Sequence, residues 1–386
     1  MTKRKVLILS AANPTRAYSG IKYLFKELER NEHIVNLWAA VPDSQKNEYS
    51  EWGANANSFF FRGFGKIPVV RLWWMKIMAI LIAFKYRNQA IICHELTFYK
   101  TCYLLKRFFP NTIIIHYCTE LFDENSPKKF LKQLKFYEKH PDVADLVIEC
   151  DEMRRKYREE KYHISKPSVT IYNTIPKSEL EKYVTKKIRK NEVAEIVYTG
   201  AAYGHRQLDM LIDAVEKITV PYKMKFYVYG PEASIQKLEE LCIDRLGKGK
   251  YEVISNTPRE KLFDKVSSAD IGIVYYNPTL SIGNKFASPT KFFEYVGMGI
   301  PVVSSHNDSL VDLIDSYDLG MYMENQSVEA MYNCINILAS DSSLRNRIAE
   351  HEILAFNDYL CYEKQSKKAF EIIEELLKSN IRKDIK

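Results

Sequence analysis

The chain has 386 residues, 46% of them hydrophobic and 27% charged, with a formal net charge of +7. That length exceeds one ordinary core of about 100–200 residues and predicts two domains. The composition excludes a disordered, fibrous or disulfide-scaffold protein. Seven scattered cysteines, an odd number with no C-x-x-C pair, are read as reduced thiols, and no metal site is expected. The opening Met1-Thr2-Lys3-Arg4-Lys5 leads into only four apolar residues, Val6 to Leu9, too few for a signal peptide, which predicts a cytoplasmic chain.

Val6-Leu7-Ile8-Leu9-Ser10 is a short continuous apolar run, the mark of a strand covered on both faces. A small-residue loop with Gly20 follows, then a helix from about Ile21 to Arg30 and a strand at 34–39. Further strands are predicted at 90–93, 112–116, 146–148 and 169–172, with helical segments between several of them, so a mostly parallel sheet is expected.

Within this half, Arg62, Lys66, Arg71, Lys76, Lys85 and Arg87 occur with no acidic residue among them, interleaved with Phe64, Trp73, Trp74, Phe84 and Tyr86. Two readings stay open. The stretch is either a patch facing a membrane surface or polyanion, or an ordinary helix burying Leu72, Met75, Met78, Ala79 and Ile82 behind a solvated basic face. Its longest apolar run, Ile77 to Phe84, falls far short of the roughly 18–20 residues that span a bilayer.

A Lys- and Glu-rich stretch over 177–195 is a candidate hinge. A second series follows, with strands predicted at 196–198, 225–229, 251–254, 271–275 and 301–304. Its helices are predicted near 206–218, 235–246, 259–267, 289–296 and 328–339, and an amphipathic helix over 363–377 closes the chain before a basic tail. The expected organisation is two doubly wound α/β halves, residues 1–180 and 181–362, with a closing segment 363–386. Ligands of such sheets bind beyond the carboxyl ends of the strands.

The most specific stretch is Ser288-Pro289-Thr290-Lys291-Phe292-Phe293-Glu294-Tyr295-Val296-Gly297-Met298-Gly299-Ile300-Pro301. Ser288 as N-cap and Pro289 as first helical residue predict a helix start whose free N–H groups attract phosphate, with Gly297 and Gly299 ending the helix. Lys291 adds a cation in the first turn. Glu294, one turn on, can accept two hydrogen bonds from a ribose diol.

This segment resembles the donor-binding signature of the retaining GT-B glycosyltransferases of family 4, glycosyl transferases group 1. The segments 196–200, 206–214, 226–232, 258–262 and 268–272, with Tyr172-Asn173-Thr174-Ile175-Pro176, resemble that family in the same order. The resemblance implies two Rossmann-like domains facing across a cleft, with the C-terminal helix returning to the N-terminal domain. It implies an acceptor-binding N-terminal half and a nucleotide-sugar-binding C-terminal half. Two departures stand out: Phe286 occupies the place of a second glutamate eight positions before Glu294, and Ala201 replaces the usual glycine-arginine pair, leaving Arg206 as the cation of that loop.

The expected activity is transfer of a sugar from a nucleotide-diphosphate donor, a UDP- or GDP-sugar, to a glycan or lipid-linked glycan acceptor. Retention and a role in polysaccharide or glycoconjugate biosynthesis are implied by the resemblance. No D-x-D triplet occurs, so protein cations rather than a metal are expected to hold the diphosphate, and no further cofactor is called for. Arg206, Lys291, His94 and Glu120 are the candidate catalytic residues. Gly20, Gly200, Arg206, Lys285, Thr290, Lys291 and Glu294 are the candidate donor-binding residues. His94, His116 and Asn173 have equally simple structural readings as satisfied polar groups. Residues 62–87 are the candidate peripheral contact with the inner face of the cell membrane, and nucleic acid is not an expected partner. A non-catalytic GT-B partner of another transferase, and a sugar-nucleotide epimerase, are the rival readings.

Overall fold

A computed structural model describes residues 3–11, 19–39, 57–60, 68–87, 89–184 and 193–384. Arg62, Phe64 and Lys66, and part of the candidate hinge, lie outside them. The chain divides into two compact units, 1–173 with 365–386, and 174–364.

Unit 1 holds β1 (Lys5–Ser10), α1 (Ser19–Arg30), β2 (Ile34–Ala39), β3 (Asn57–Phe60), α2 (Pro68–Tyr86), β4 (Ala90–His94), α3 (Tyr99–Phe108), β5 (Ile113–Cys118), α4 (Lys128–Lys139), β6 (Leu146–Glu149), α5 (Glu152–Tyr162) and β7 (Ser168–Thr170). These strands form one parallel sheet in the order β3-β2-β1-β4-β5-β6-β7. Val6 to Leu9, Ile91, Ile92 and Ile113 to Ile115 are buried, as strands covered on both faces require.

On α2 the periodic stripe is a core face: Met75, Ala79, Ile82 and Ala83 are buried and Trp38 donates to the Met75 carbonyl (2.9 Å). The opposite side leaves Trp73, Trp74, Leu81 and Phe84 exposed, beside exposed Phe108 of α3, whose ring centroid is 5.9 Å from that of Phe84. The helix reading thus holds for the buried face of this stretch. Among the described residues no helix is long and apolar enough to cross a membrane.

Unit 2 holds α6 (Lys177–Leu180), β8 (Ala194–Ala201), α7 (Leu208–Glu216), β9 (Tyr222–Tyr229), α8 (Glu232–Arg245), β10 (Tyr251–Ser255), α9 (Arg259–Val266), β11 (Ile271–Val274), α10 (Ile282–Lys285) and α11 (Thr290–Met298). The series continues with β12 (Val302–Ser304), α12 (Asp308–Tyr317), β13 (Gly320–Tyr322), α13 (Val328–Ser340) and α14 (Ser342–Ala355). Its parallel sheet runs β10-β9-β8-β11-β12-β13. The buried stripe predicted on α7 is present: Leu208, Leu211, Val215 and Ile218 all lie in the core. The closing helix α15 (Tyr362–Asp384) returns to unit 1, where Glu374 Oε1 lies 2.6 Å from His33 Nε2.

Candidate functional site

In unit 2 the strand order reverses between β8 and β11, the switch point at which doubly wound sheets bind ligands. β8 runs out at Gly200 and Ala201, and a single 3-10 turn, Gly204–Arg206, delivers Arg206 just before α7. Gln207 takes the left-handed conformation there, with φ 49°. Its Oε1 accepts from Asn277 Nδ2 (2.9 Å) and Tyr275 Oη (3.3 Å), which ties the Arg206 turn to the loop leaving β11.

The Arg206 guanidinium lies 4.4 Å from the ring centroid of Tyr276. Lys291, in the first turn of α11, brings Nζ to 5.3 Å from the same ring and 4.0 Å from that of Tyr198. A ring face attracts a cation without accepting its N–H bonds, so the donors can still turn toward an anion. Gly200 has φ 147°, and a Cβ there would stand 3.2 Å from both Lys291 Nζ and Tyr198 Oη. Its glycine therefore meets two needs, a left-handed backbone and room for the ammonium.

Lys291 is only 8% exposed. Burial, and next the nearby Arg206 charge, push its ammonium well below the usual lysine range, opposed by Glu294. Two cations crowded in a low dielectric are what an arriving diphosphate would relieve. Tyr295 fixes the helix carrying Lys291: Thr199 N–H donates to Tyr295 Oη (3.0 Å), joining α11 to the end of β8.

The start of α11 differs from expectation. Pro289, not Ser288, is the N-cap, with an extended backbone (φ −78°, ψ 136°), and Thr290 is the first helical residue. The reason is that the Phe292 N–H bonds the Pro289 carbonyl, so the first turn closes one residue later. The helix runs through Gly297 and stops at Met298, with Gly299 left-handed at φ 68°. Gly297 is a packing position: a Cβ would fall 2.3 Å from Leu180 Cδ1.

Glu294 is 5% exposed, and Arg259 Nη2 stands 2.7 Å from its Oε1, close enough for an ion pair though not aligned as a hydrogen bond. Lys285 ends α10 on the surface, 3.6 Å from Asp308 Oδ2, with its ammonium 5.3 Å from the ring centroid of largely buried Phe286. The structure thus gathers Gly200, Arg206, Lys291 and Glu294, with Thr290 opening the same helix, while Lys285 pairs elsewhere. Tyr198, Tyr276 and Arg259 complete the cluster and went unassigned from sequence. The signal for Tyr276 was its place just past a strand end.

The remaining candidates lie in unit 1, whose sheet reverses between β1 and β4. His94 ends β4, fully buried, with Nδ1 2.8 Å from Ser10 Oγ and Nε2 3.2 Å from Thr119 Oγ1. Thr119 spends its hydroxyl proton on Glu95 Oε1, so its oxygen accepts from His94 Nε2–H and Ser10 donates to Nδ1. Burial pushes the His94 pKa down to about 3, which keeps the ring neutral. Glu120 is exposed, and its N–H donates to the same Glu95 oxygen (2.9 Å). Gly20 lies inside the first turn of α1 rather than in a preceding loop, and a Cβ there would sit 2.1 Å from Tyr117 Oη. The tyrosine hydroxyl occupies the space that a side chain would need. Among the described residues, no group of three or more His, Cys, Asp or Glu is placed to hold a metal ion.

Residues 194–341 match the family model of glycosyl transferases group 1. No curated protein matches the chain by sequence. Among solved structures, sucrose-phosphate synthase from Thermosynechococcus elongatus aligns with TM-score 0.80 at 13% identity, covering 98% of this chain and 100% of that one. A glycosyltransferase from Rickettsia africae aligns with TM-score 0.74 at 16% identity, again covering 98% and 100%. HepE of Anabaena, solved in complex with UDP and glucose, aligns with TM-score 0.73 at 13% identity, covering 96% and 100%. At these identities the structural likenesses establish the fold. The chain has the GT-B fold, and within it residues 194–341 are similar to the glycosyl transferases group 1.

Proposed function

We propose that this chain transfers a sugar from a nucleotide-diphosphate donor to a hydroxyl acceptor, with retention, its unit 2 holding the donor and its unit 1 the acceptor. The observation that carries this reading is the pair Arg206 and Lys291, held on the faces of Tyr276 and Tyr198 at the switch point of the sheet with the family match. As the bond between sugar and phosphate breaks, negative charge grows on the diphosphate. Donors already aimed at it are worth about 3–4 kcal/mol each, by analogy with oxyanion holes. Glu294 would hold the ribose diol, with Arg259 orienting its carboxylate. The departing phosphate oxygen takes the acceptor proton in this scheme, so the attack needs no separate base and the protein cations replace a metal.

UDP is the first donor nucleotide to test, since the structurally similar HepE was solved with it. Thermal-shift titration with UDP-, GDP-, ADP- and dTDP-sugars should give a stabilisation by one of them that persists in EDTA. No response to any of the four would sink the reading and favour a non-catalytic partner of another transferase.

The exposed Trp73, Trp74, Leu81 and Phe84 of α2, flanked by Lys76 and Lys85, support peripheral contact with an anionic leaflet where a lipid-linked acceptor is presented. That placement, in the cytoplasm at the inner face of the membrane, suits polysaccharide or glycoconjugate assembly. Flotation with phosphatidylglycerol vesicles should carry the protein upward and lose W73S/F84S; equal flotation with neutral vesicles would remove the idea.

A further inference from the structure

We propose that Glu95 is an acceptor-binding carboxylate, its outer oxygen Oε2 receiving a hydrogen bond from a sugar hydroxyl at the switch point of the unit 1 sheet. This rests on the reading of unit 1 as the acceptor half.

The first observation is the backbone. Glu95 has φ 63° and ψ 177°, a region used almost only by glycine and costing other residues about 1–3 kcal/mol. Glycine would remove that strain, so the side chain at 95 is kept in place against a conformational cost. The surroundings show how it is held there. Its N–H donates to the Tyr117 carbonyl (3.0 Å), which locks the loop leaving β4 against β5.

The second observation is the aim of the carboxylate. Oε1 accepts from the Thr119 N–H (2.7 Å), the Glu120 N–H (2.9 Å) and the Thr119 hydroxyl. That hydroxyl is in turn oriented by neutral His94, which Ser10 orients. Two residues just past β5 thus hold one oxygen, and one of them is braced in turn from the ends of β4 and β1. None of these bonds involves Oε2, and the side chain keeps 14% of its surface exposed. A carboxylate saturated on one oxygen and open on the other is a rigid acceptor aimed outward. Burial, then Glu120, push its pKa up to about 7, against the Thr119 hydrogen bonds and the Arg158 charge.

The third observation is location. Glu95 follows β4 directly, beside β1, at the reversal of strand order, the counterpart in unit 1 of the place where Arg206 and Lys291 gather in unit 2. A neutral polyol suits it better than an anion, which two adjacent carboxylates, Glu95 and Glu120, would repel.

Methyl glycosides of glucose, galactose, mannose and N-acetylglucosamine, titrated against the full chain by saturation-transfer NMR, test it. The wild type should bind at least one of them. Glu95→Gln, which keeps the shape but presents an amide, should weaken that binding at least tenfold. Glu95→Gly, which removes the carboxylate and relaxes the backbone, should do the same and guards against misfolding of the first variant. UDP-induced thermal stabilisation, measured in the same samples, should be equal in all three proteins. A wild type that binds none of the four, or variants that bind as tightly as it does, overturns the assignment. Loss of the UDP response with glycoside binding intact would instead sink the donor reading alone.

Discussion

Six strands of each sheet follow one topology, unit 1 adding β7 at its edge, and both units place polar groups at the same point of it, yet the groups are of opposite kinds. At the switch point of unit 2, two cations rest on aromatic faces, and one of them, Lys291, is buried and held below its normal pKa. At the switch point of unit 1, a neutral histidine, two hydroxyls and a carboxylate form one hydrogen-bonded chain. The first arrangement suits an anion and the second a neutral ligand with hydroxyls. The contrast teaches that the doubly wound sheet supplies position only. The residues at the ends of β1, β4, β5, β8 and β11, with the first turn of α11, supply the chemistry.

Removing a cation should break the comparison most sharply. Lys291→Met, which preserves most of the buried volume, and Arg206→Ala should each lower turnover by roughly 100–1000-fold with little change in melting temperature. Transfer rates that stay at wild-type level in both would leave unit 2 without its proposed role.

The depressed pKa of Lys291 makes the next test. The diphosphate favours the ammonium form, so binding raises that pKa and takes up a proton between the free and bound values. Affinity for UDP should therefore weaken as pH rises through that window. Calorimetry in two buffers of different ionisation heat should report net proton uptake; a binding enthalpy independent of buffer would mean Lys291 keeps one protonation state throughout.

A smaller effect is expected at Tyr276, which touches both cations. Tyr276→Leu should weaken UDP binding about tenfold, in line with about 1–2 kcal/mol for cation–π contacts out of water. Tyr276→Phe, which keeps the ring, should bind nearly as the wild type does. If Phe and Leu behave alike, the hydroxyl and not the ring face holds the site.

The last change concerns fold rather than ligand. Gly20→Ala would place a methyl 2.1 Å from Tyr117 Oη and should destabilise unit 1 by about 1–3 kcal/mol. Tyr117→Phe should recover part of the loss in melting temperature. A Gly20→Ala protein as stable as wild type would show that α1 can shift away from β5.

The sequence was most legible where a segment's own pattern decides its structure. The continuous apolar runs of β1, β4 and β5 and the stripe of α7 read correctly because burial on both faces, or on one helical face, is written in residue order. β3 and β13, four and three residues long at sheet edges, carried no such pattern, since a short edge strand is defined by the neighbour it pairs with. α12 and α14 also went unassigned from sequence, although Leu310, Leu313 and Ile314 of α12 form a buried helical stripe. In the candidate site, Arg206, Lys291 and Glu294 were readable from their motif, and the one-residue shift of the α11 cap was not, because only the closing hydrogen bond decides it.

By itself, then, the sequence determined two parallel α/β halves, the cationic loop after β8 and the polar first turn of α11. Only the tertiary structure decided that Tyr276 lies under both cations, that Lys285 turns instead to Asp308, and that Gly20 yields its space to a tyrosine. It alone revealed Glu95 as a strained carboxylate gripped by the end of the next strand. The physical reason is the same in each case. Local periodicity encodes which face a segment buries, whereas a contact between residues far apart in the chain exists only once separate strand ends have been brought side by side.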